Sequence, residues 1–141
     1  MKSLSSRQLL RLVLVIQALA ALGIGLAAVN ILGASRWEGL LAGLGSVVLV
    51  RLLINANNFF MSARYASPTP QDFRIKPLAA LRMFGEEFSA SMLQSSWTMP
   101  RARPSTRIYE DSTQPPVLLL HGYGCNSGYW SHLTPRLDAA R

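Results

Sequence analysis

The sequence predicts a pair of membrane-spanning helices, then an amphipathic helix, and finally a short strand–loop–helix segment. Three observations support this prediction. Two nearly uncharged apolar stretches lie within positions 1–60, a proline cluster separates them from the C-terminal half of the chain, and an apolar run before His121 leads into a glycine-rich loop. We therefore divide the chain into an anchor at residues 1–60, a linker with an amphipathic helix at 61–106, and the start of a further domain at 107–141.

The composition limits the classes of protein to which the chain can belong. Of the 141 residues, 50% are apolar and 15% are charged, and the formal net charge is +7. This balance excludes a disordered acidic tail and a coiled coil, and a single cysteine excludes an internal disulfide framework. The basic residues are scattered, with no dense run that could follow a phosphate backbone. We therefore predict no nucleic-acid partner.

The first apolar stretch, residues 12–32, is long enough to cross a bilayer. More than half of it is Leu, Ile or Val, and the polar interruptions are Gln17 and Asn30. At about 1.5 Å per residue, a helix of this length spans ~31 Å, which matches the hydrocarbon layer. A core helix of a soluble protein would need more surrounding chain than this sequence has. A cleaved signal peptide is the other alternative, because Lys2, Arg7 and Arg11 precede the stretch.

The second apolar stretch, residues 39–56, follows after a short turn. Its many Leu, Ile and Val side chains favour insertion, whereas Arg51 would oppose insertion by about 2.5–3.5 kcal/mol at the bilayer centre. We expect Arg51 to extend its side chain toward the head groups. Small residues recur at a spacing of four in both stretches and predict where the two helices pack: Ala21 and Gly25, Gly39 and Gly43.

The distribution of basic residues predicts the orientation of this hairpin. Positive charges flank the outer ends of both spans, whereas the connecting turn carries Arg36, which is offset by Glu38. Because basic segments stay on the cytoplasmic side, we expect both termini in the cytoplasm, with the lipid bilayer as partner. The basic residues concerned are Lys2, Arg7, Arg11, Arg51, Arg64, Arg74 and Lys76.

Residues 61–106 combine a linker with an amphipathic helix. Pro68 and Pro70 lie among small polar residues and indicate a boundary. The apolar face of the helix could lie on the membrane surface or pack on the following domain, and we favour the second. The helix is predicted from Pro77 to about Ser96 by apolar residues at spacings of three and four: Leu78, Leu81, Phe84, Phe88 and Met92.

Residues 117–130 carry the candidate chemistry. The consecutive apolar residues 117–120 are typical of a strand that is buried on both faces of a parallel sheet. They lead into the sequence His-Gly-Tyr-Gly at residues 121–124, and a helix is predicted beyond Trp130 despite Pro135. Strand, glycine-rich loop and helix together form half of a crossover unit.

Three kinds of site are compatible with a glycine-rich loop at this position. A dinucleotide loop is disfavoured because Ser127 occupies the position of the third glycine in G-x-G-x-x-G, and no phosphate-binding Gly-Lys-Ser/Thr occurs. A metal or thiol site of His121, Cys125 and His132 lacks further cysteines or nearby acids, so we predict neither a metal nor a cofactor. The third possibility is an oxyanion loop, in which glycine lets the backbone turn and an N–H faces a developing alkoxide.

The segment PPVLLLHGYGCNSGYWSHLTPRL, residues 115–137, resembles the third strand, His-Gly oxyanion loop and following helix of α/β-hydrolases, especially bacterial esterases and lipases. The resemblance implies that the N–H of Tyr123 is a catalytic oxyanion donor. It also implies that His121 shapes the loop, that Gly122 permits its turn, and that Gly124 belongs to it. The expected fold is thus an α-helical transmembrane hairpin, an amphipathic helix and an incomplete α/β-hydrolase-like β-loop-α segment.

The residues that would complete such an enzyme are missing from this sequence. The family's nucleophile lies in G-x-S-x-G and is followed by an acid and a histidine, but no G-x-S-x-G occurs in the chain. We therefore expect a truncated N-terminal portion of a membrane-anchored bacterial hydrolase of esters or lipids, inactive by itself and located in the inner membrane. The alternative is a small integral membrane protein that serves interaction or scaffolding and has no enzymatic activity.

Overall fold

The computed structural model of the chain describes residues 5–68, 70, 74–104, 106–110, 112–122 and 124–140. The regular structure within these ranges is helical. A π-helical turn, Gln94–Thr98, joins the third helix to the fourth, and a 3₁₀ turn covers Ser127–Trp130. The α-helices are α1 Ser6–Leu32, α2 Arg36–Arg64, α3 Pro77–Leu93, α4 Met99–Arg101 and α5 Thr134–Ala139.

The chain divides into two compact units. One unit comprises Val15–Ser91 and therefore contains most of α1, all of α2 and most of α3. The other comprises Met1–Leu14 and Met92–Arg141, and it contains the candidate loop.

Helices α1 and α2 are long and apolar enough to cross a membrane. The predicted spans 12–32 and 39–56 lie inside them, and both helices continue beyond the apolar stretches. With 27 and 29 residues, the two helices reach about 40 and 43 Å. Large apolar side chains such as Leu19, Leu41 and Ile54 are exposed along their length. This surface is suited to lipid, since exposure of so much apolar area to water is unfavourable.

Local hydrogen bonds fix both sides of the turn at residues 33–35. Gly33 follows α1 with φ +70°, the left-handed conformation in which helices commonly end and which glycine adopts without strain. Ser35 then caps α2, because its Oγ accepts a hydrogen bond from the N–H of Glu38 at 3.3 Å. The Glu38 carboxylate in return accepts from the N–H of Ser35 at 2.7 Å, which completes a capping box.

Glycine lets α1 and α2 approach each other closely. A Cβ atom on Gly39 would lie 2.8 Å from the carbonyl oxygen of Gly25, and a Cβ on Gly43 would collide with the carbonyl oxygen of Ala21. Gly39 and Gly43 are buried accordingly. The predicted small-residue contact is therefore confirmed. The backbones meet where side chains are smallest, which is how helices gain van der Waals contact in lipid.

The start of α3 at Pro77 agrees with the sequence prediction. Its Phe84 ring meets the Phe59 ring of α2 edge to face, with centroids 5.6 Å apart, so this part of α3 lies against α2. Leu78 and Leu81, in contrast, are exposed. The apolar face that we expected to pack on a following domain is therefore divided. Phe84 contacts the hairpin, and the two leucines are uncovered.

The predicted strand at residues 117–120 does not form. The described part of the chain contains no strand, and Val117, Leu118 and Leu120 lie exposed in irregular backbone. The reason is physical, because a strand needs a neighbour that pairs with its N–H and C=O groups, and no described segment forms such a ladder. The helix predicted after the loop is also short, a 3₁₀ turn followed by the six residues of α5.

Candidate functional site

The candidate oxyanion loop is an exposed turn. His121, Gly122 and Gly124 are exposed, whereas Tyr123, whose N–H is the candidate oxyanion donor, lies outside the described residues. The N–H of Cys125 donates to the Gly122 carbonyl over 3.2 Å, and Gly124 has φ +76°. This is the left-handed conformation, which glycine adopts without strain. Glycine at 124 is therefore demanded by the backbone, whatever chemistry the loop performs.

The ionisable groups of the loop have few defined contacts. Nδ1 of His121 lies 3.2 Å from the carbonyl oxygen of the adjacent Gly122. Among the described residues, no group of three His, Cys, Asp or Glu side chains is placed to hold a metal ion. Cys125 is a free, half-buried cysteine. The loop thus offers a shaped backbone turn, and a nucleophile would have to come from another segment.

The residues that follow the turn are fixed to α4 and the helical turn before it. Nδ2 of Asn126 donates to the Met99 carbonyl at 2.8 Å, and its Oδ1 accepts from the Gly128 N–H at 2.9 Å, which caps the 3₁₀ turn. Gly128 is buried, and a Cβ there would lie 2.6 Å from the carbonyl oxygen of Thr98. The loop is therefore held on its C-terminal side by contacts that depend on Asn126 and Gly128.

Proline explains the irregular helix on which this segment rests. Pro100 has no N–H to donate, and its ring crowds the carbonyl group four residues earlier, that of Ser96. That carbonyl lies within the π-helical turn, where the N–H of Met99 donates to Gln94 in the wider pattern. Nε of Arg11 donates to the carbonyl oxygen of Pro100 at 2.9 Å, and Met99 and Pro100 are buried. The platform under the loop is therefore well packed.

A polar cluster connects α5 with the segment before the apolar run. The Asp138 carboxylate accepts a hydrogen bond from the Tyr109 hydroxyl at 2.7 Å and pairs with the Arg107 guanidinium. The Arg107 side chain is 50% exposed, so we assign this ion pair no more than about 1 kcal/mol. The cluster was missed from the sequence, because its members are far apart in the chain and no periodicity relates them.

A polar contact between α1 and α2 was also missed. Nε of Arg51 donates to Oε1 of Gln17 over 3.1 Å, and Nη2 contacts the same oxygen. From the sequence we expected Arg51 to extend toward the head groups, but its guanidinium instead reaches across the hairpin. A cation in hydrocarbon is costly unless hydrogen bonds satisfy it. Polar residues that interrupt the two apolar stretches therefore satisfy each other.

A signal for this contact was present in the sequence. Gln17 lies as far before Leu32, the end of α1, as Arg51 lies after Arg36, the start of α2. In an antiparallel hairpin with a tight turn, equal distance from the turn places two residues at the same depth. Aligning the sequence about a turn at residues 33–35 would have placed the two residues at the same depth.

Comparisons with protein families, with curated proteins and with solved structures find no match for this chain. We therefore infer a function from the residues and their contacts. These contacts provide a small-residue hairpin with a polar contact between Gln17 and Arg51, and a glycine turn whose C-terminal side is fixed by Asn126.

Proposed function

We propose that this chain is the membrane-anchoring N-terminal part of an α/β-hydrolase that acts on carboxylic esters or lipids, and that it is inactive by itself. The observation that supports the proposal is the order of the elements. Two helices suited to a membrane precede a His-Gly loop in which Gly124 has a positive φ and whose following residues are fixed by Asn126. The proposal combines these elements with the resemblance carried by residues 115–137.

In the complete enzyme, the N–H of Tyr123 would stabilise the oxyanion of the tetrahedral intermediate. His121, Gly122 and Gly124 would shape the loop, with Gly124 supplying the left-handed conformation. Residues 117–120 would become a strand once further strands supply neighbours for their backbone groups. The acyl-enzyme would form on a serine outside this sequence, because no G-x-S-x-G occurs within it.

In this proposal the anchor lies in a bacterial inner membrane with both of its ends on the cytoplasmic side. Arg7 and Arg11 lie at the start of α1 and Arg64 at the end of α2, whereas Arg36 at the start of α2, next to the turn, is offset by Glu38. This asymmetry satisfies the positive-inside rule. A hydrolase domain in this position would meet esters and lipids that partition into the bilayer.

The inactivity of the chain can be tested directly. We expect the purified chain to hydrolyse p-nitrophenyl esters no faster than buffer does, because a glycine turn without a nucleophile cannot form an acyl-enzyme. The matched control is the same chain without residues 115–141. Turnover by the full chain that disappears in this deletion would contradict the proposal.

The hydrolase assignment is tested by sequencing the gene beyond codon 141. We expect the same or an adjacent frame to encode G-x-S-x-G, followed by an acid and a late histidine. The protein segment that carries this serine, co-expressed with this chain, should react with a fluorophosphonate probe. Substituting alanine for the serine should abolish the reaction. Unrelated sequence after a stop codon would overturn the assignment.

The alternative function is that of a small integral membrane protein for interaction or scaffolding, without enzymatic activity. One observation favours it, since residues 126–130 pack on the Thr98–Met99 backbone without the help of a sheet. The same sequencing experiment separates the two functions, because the alternative predicts no hydrolase motifs in the neighbouring frame.

A further inference from the structure

Three large aliphatic side chains, one just before α3 and two in its first turns, are left uncovered by the described residues. Ile75, Leu78 and Leu81 are 57%, 80% and 66% exposed. Phe84, three residues after Leu81 on the same apolar face, contacts Phe59 edge to face, so the hairpin covers one end of this face and leaves the other end open. Exposed aliphatic side chains that are neighbours in space form a surface that favours an apolar environment.

Basic residues alternate with these aliphatic ones. In the sequence RIKPLAALR, residues 74–82, the cations are Arg74, Lys76 and Arg82. Arg82 pairs with Glu86 one turn later at 2.8 Å, and both side chains are largely exposed. A surface of this chemistry suits an anionic bilayer, because aliphatic groups enter the acyl-chain boundary while cations stay at the phosphates.

The contact with α2 places α3 at the depth where hydrocarbon meets water. From Trp37 to Phe59 the helix rises about 33 Å, which is close to the ~30 Å thickness of the hydrocarbon layer. Trp and Tyr concentrate at membrane interfaces, so with Trp37 at one interface the rise of the helix puts Phe59 close to the other. Because Phe84 contacts Phe59, α3 lies at that second interface.

We propose that α3 is an interfacial helix whose Leu78 and Leu81, together with Ile75 just before it, insert into the leaflet beside the C-terminal end of α2. Arg74, Lys76 and Arg82 contact the phosphates of anionic lipids. The occupant of this apolar surface is thus the bilayer and not a protein. The proposal rests on the membrane-anchoring part of the proposed function and is independent of the hydrolase assignment.

Spin-label accessibility tests this proposal on the full chain. In a Cys125→Ser background, single nitroxides are placed with Leu78→Cys, Leu81→Cys or Ala79→Cys, and the protein is reconstituted in vesicles of phosphatidylcholine and phosphatidylglycerol. Ala79 is the matched control, because it is exposed and shares a helix side with Glu86. We expect the ratio of oxygen to NiEDDA accessibility to be about threefold or more higher at 78 and 81 than at 79.

Each other outcome overturns the proposal. Equally low ratios at 78, 79 and 81 would show that the leucines face water. Low accessibility to both oxygen and NiEDDA at 78 and 81 would show that protein covers them. In vesicles of phosphatidylcholine alone we expect the ratio at 78 to fall about twofold, and an unchanged ratio would refute the contact of the cations with anionic lipid.

A fourth label separates failure of this proposal from failure of the anchor. Leu44 is exposed in the middle part of α2, so Leu44→Cys should give a high ratio wherever the hairpin spans the bilayer. A high ratio at 44 with low ratios at 78 and 81 refutes the interfacial helix and leaves the anchor intact. A low ratio at 44 refutes the anchor itself.

Discussion

Gly43 and Gly45 lie two residues apart in α2, but Gly43 is in close contact with α1 and Gly45 is not. A Cβ on Gly43 would collide with the Ala21 carbonyl, whereas a Cβ on Gly45 meets nothing within 4 Å. Alanine raises helix stability by about 0.5–1 kcal/mol at either position, so the contact with α1 is the feature that distinguishes the two variants. We expect Gly43→Ala to lower the free energy of unfolding relative to Gly45→Ala by about 1–3 kcal/mol.

This difference is measured on the full chain in mixed micelles by titration with SDS, with circular dichroism reporting helix loss. Gly23→Ala in α1 is a second control, because a Cβ there also meets nothing within 4 Å. Equal effects of the substitutions at Gly43 and Gly45 would contradict the close contact of the two helices.

The hydrogen bond between Gln17 and Arg51 predicts an energetic coupling. Gln17→Leu removes an acceptor of the guanidinium and should destabilise the hairpin by about 1 kcal/mol. In an Arg51→Leu background the same substitution should cost almost nothing, because the cation is gone. Asn30→Leu is the control, since Nδ2 of Asn30 donates to Leu26 of its own helix at 2.8 Å. A double-mutant cycle with zero coupling for Gln17 and Arg51 would refute the contact.

At this scale the sequence predicted contacts that depend on residue size and missed one that depends on register. Gly25, Gly39 and Gly43 could be identified because small residues at a spacing of four permit close approach. The Arg51 contact was missed because the side chain was considered on its own helix, where extension toward the head groups is the expected solution. Its partner becomes visible once the turn fixes the alignment of the helices.

At the scale of elements, hydropathy predicted the helices that are suited to lipid but not their ends. The apolar stretches 12–32 and 39–56 mark the residues that suit the hydrocarbon layer. The helices extend beyond these stretches, since α1 begins at Ser6 and α2 continues to Arg64. A formed helix extends readily, because each further residue adds a hydrogen bond without a new nucleation cost. The prediction of a strand at 117–120 was wrong because a strand, unlike a helix, needs another segment of the chain to pair with its backbone N–H and C=O groups.

The attachment of the candidate loop to α4 can be tested by adding a single Cβ atom at Gly128. A Cβ on Gly128 would lie 2.7 Å from Cα of Met99, whereas a Cβ on Gly122 meets nothing within 4 Å. Gly128→Ala should therefore detach residues 126–130, and with them the hydrogen bond from Ser127 to the Arg103 carbonyl. We expect trypsin to cut after Arg101, which directly follows the Met99–Pro100 segment, about tenfold faster, which corresponds to ~1.4 kcal/mol of local opening. Gly122→Ala should leave the rate unchanged, and equal rates in both variants would contradict the attachment.

At the scale of the whole chain, the apolar composition corresponds to two long helices whose exposed apolar surface is suited to lipid. Among the described residues, the buried apolar side chains are those of Ala28, Met99 and Pro100. Composition and hydropathy were sufficient to predict two helices suited to a membrane. The chemistry of the candidate loop could not be predicted to the same degree. An oxyanion donor stabilises an intermediate that forms on a nucleophile, and this sequence contains no G-x-S-x-G motif to supply that nucleophile.

Measuring the orientation of the two helices with reporter fusions is the most direct test of whether this chain is a membrane protein. If the basic ends of α1 and α2 are cytoplasmic, alkaline phosphatase fused after Arg64 should be inactive in a bacterial host, and the same enzyme fused after Ala34 in the turn should be active. Fusions to green fluorescent protein should show the reverse, because that reporter fluoresces in the cytoplasm. Phosphatase activity of the fusion after Arg64 without activity of the fusion after Ala34 would show that the hairpin has the opposite orientation. Activity at both positions with a shortened product would instead identify the first stretch as a cleaved signal peptide.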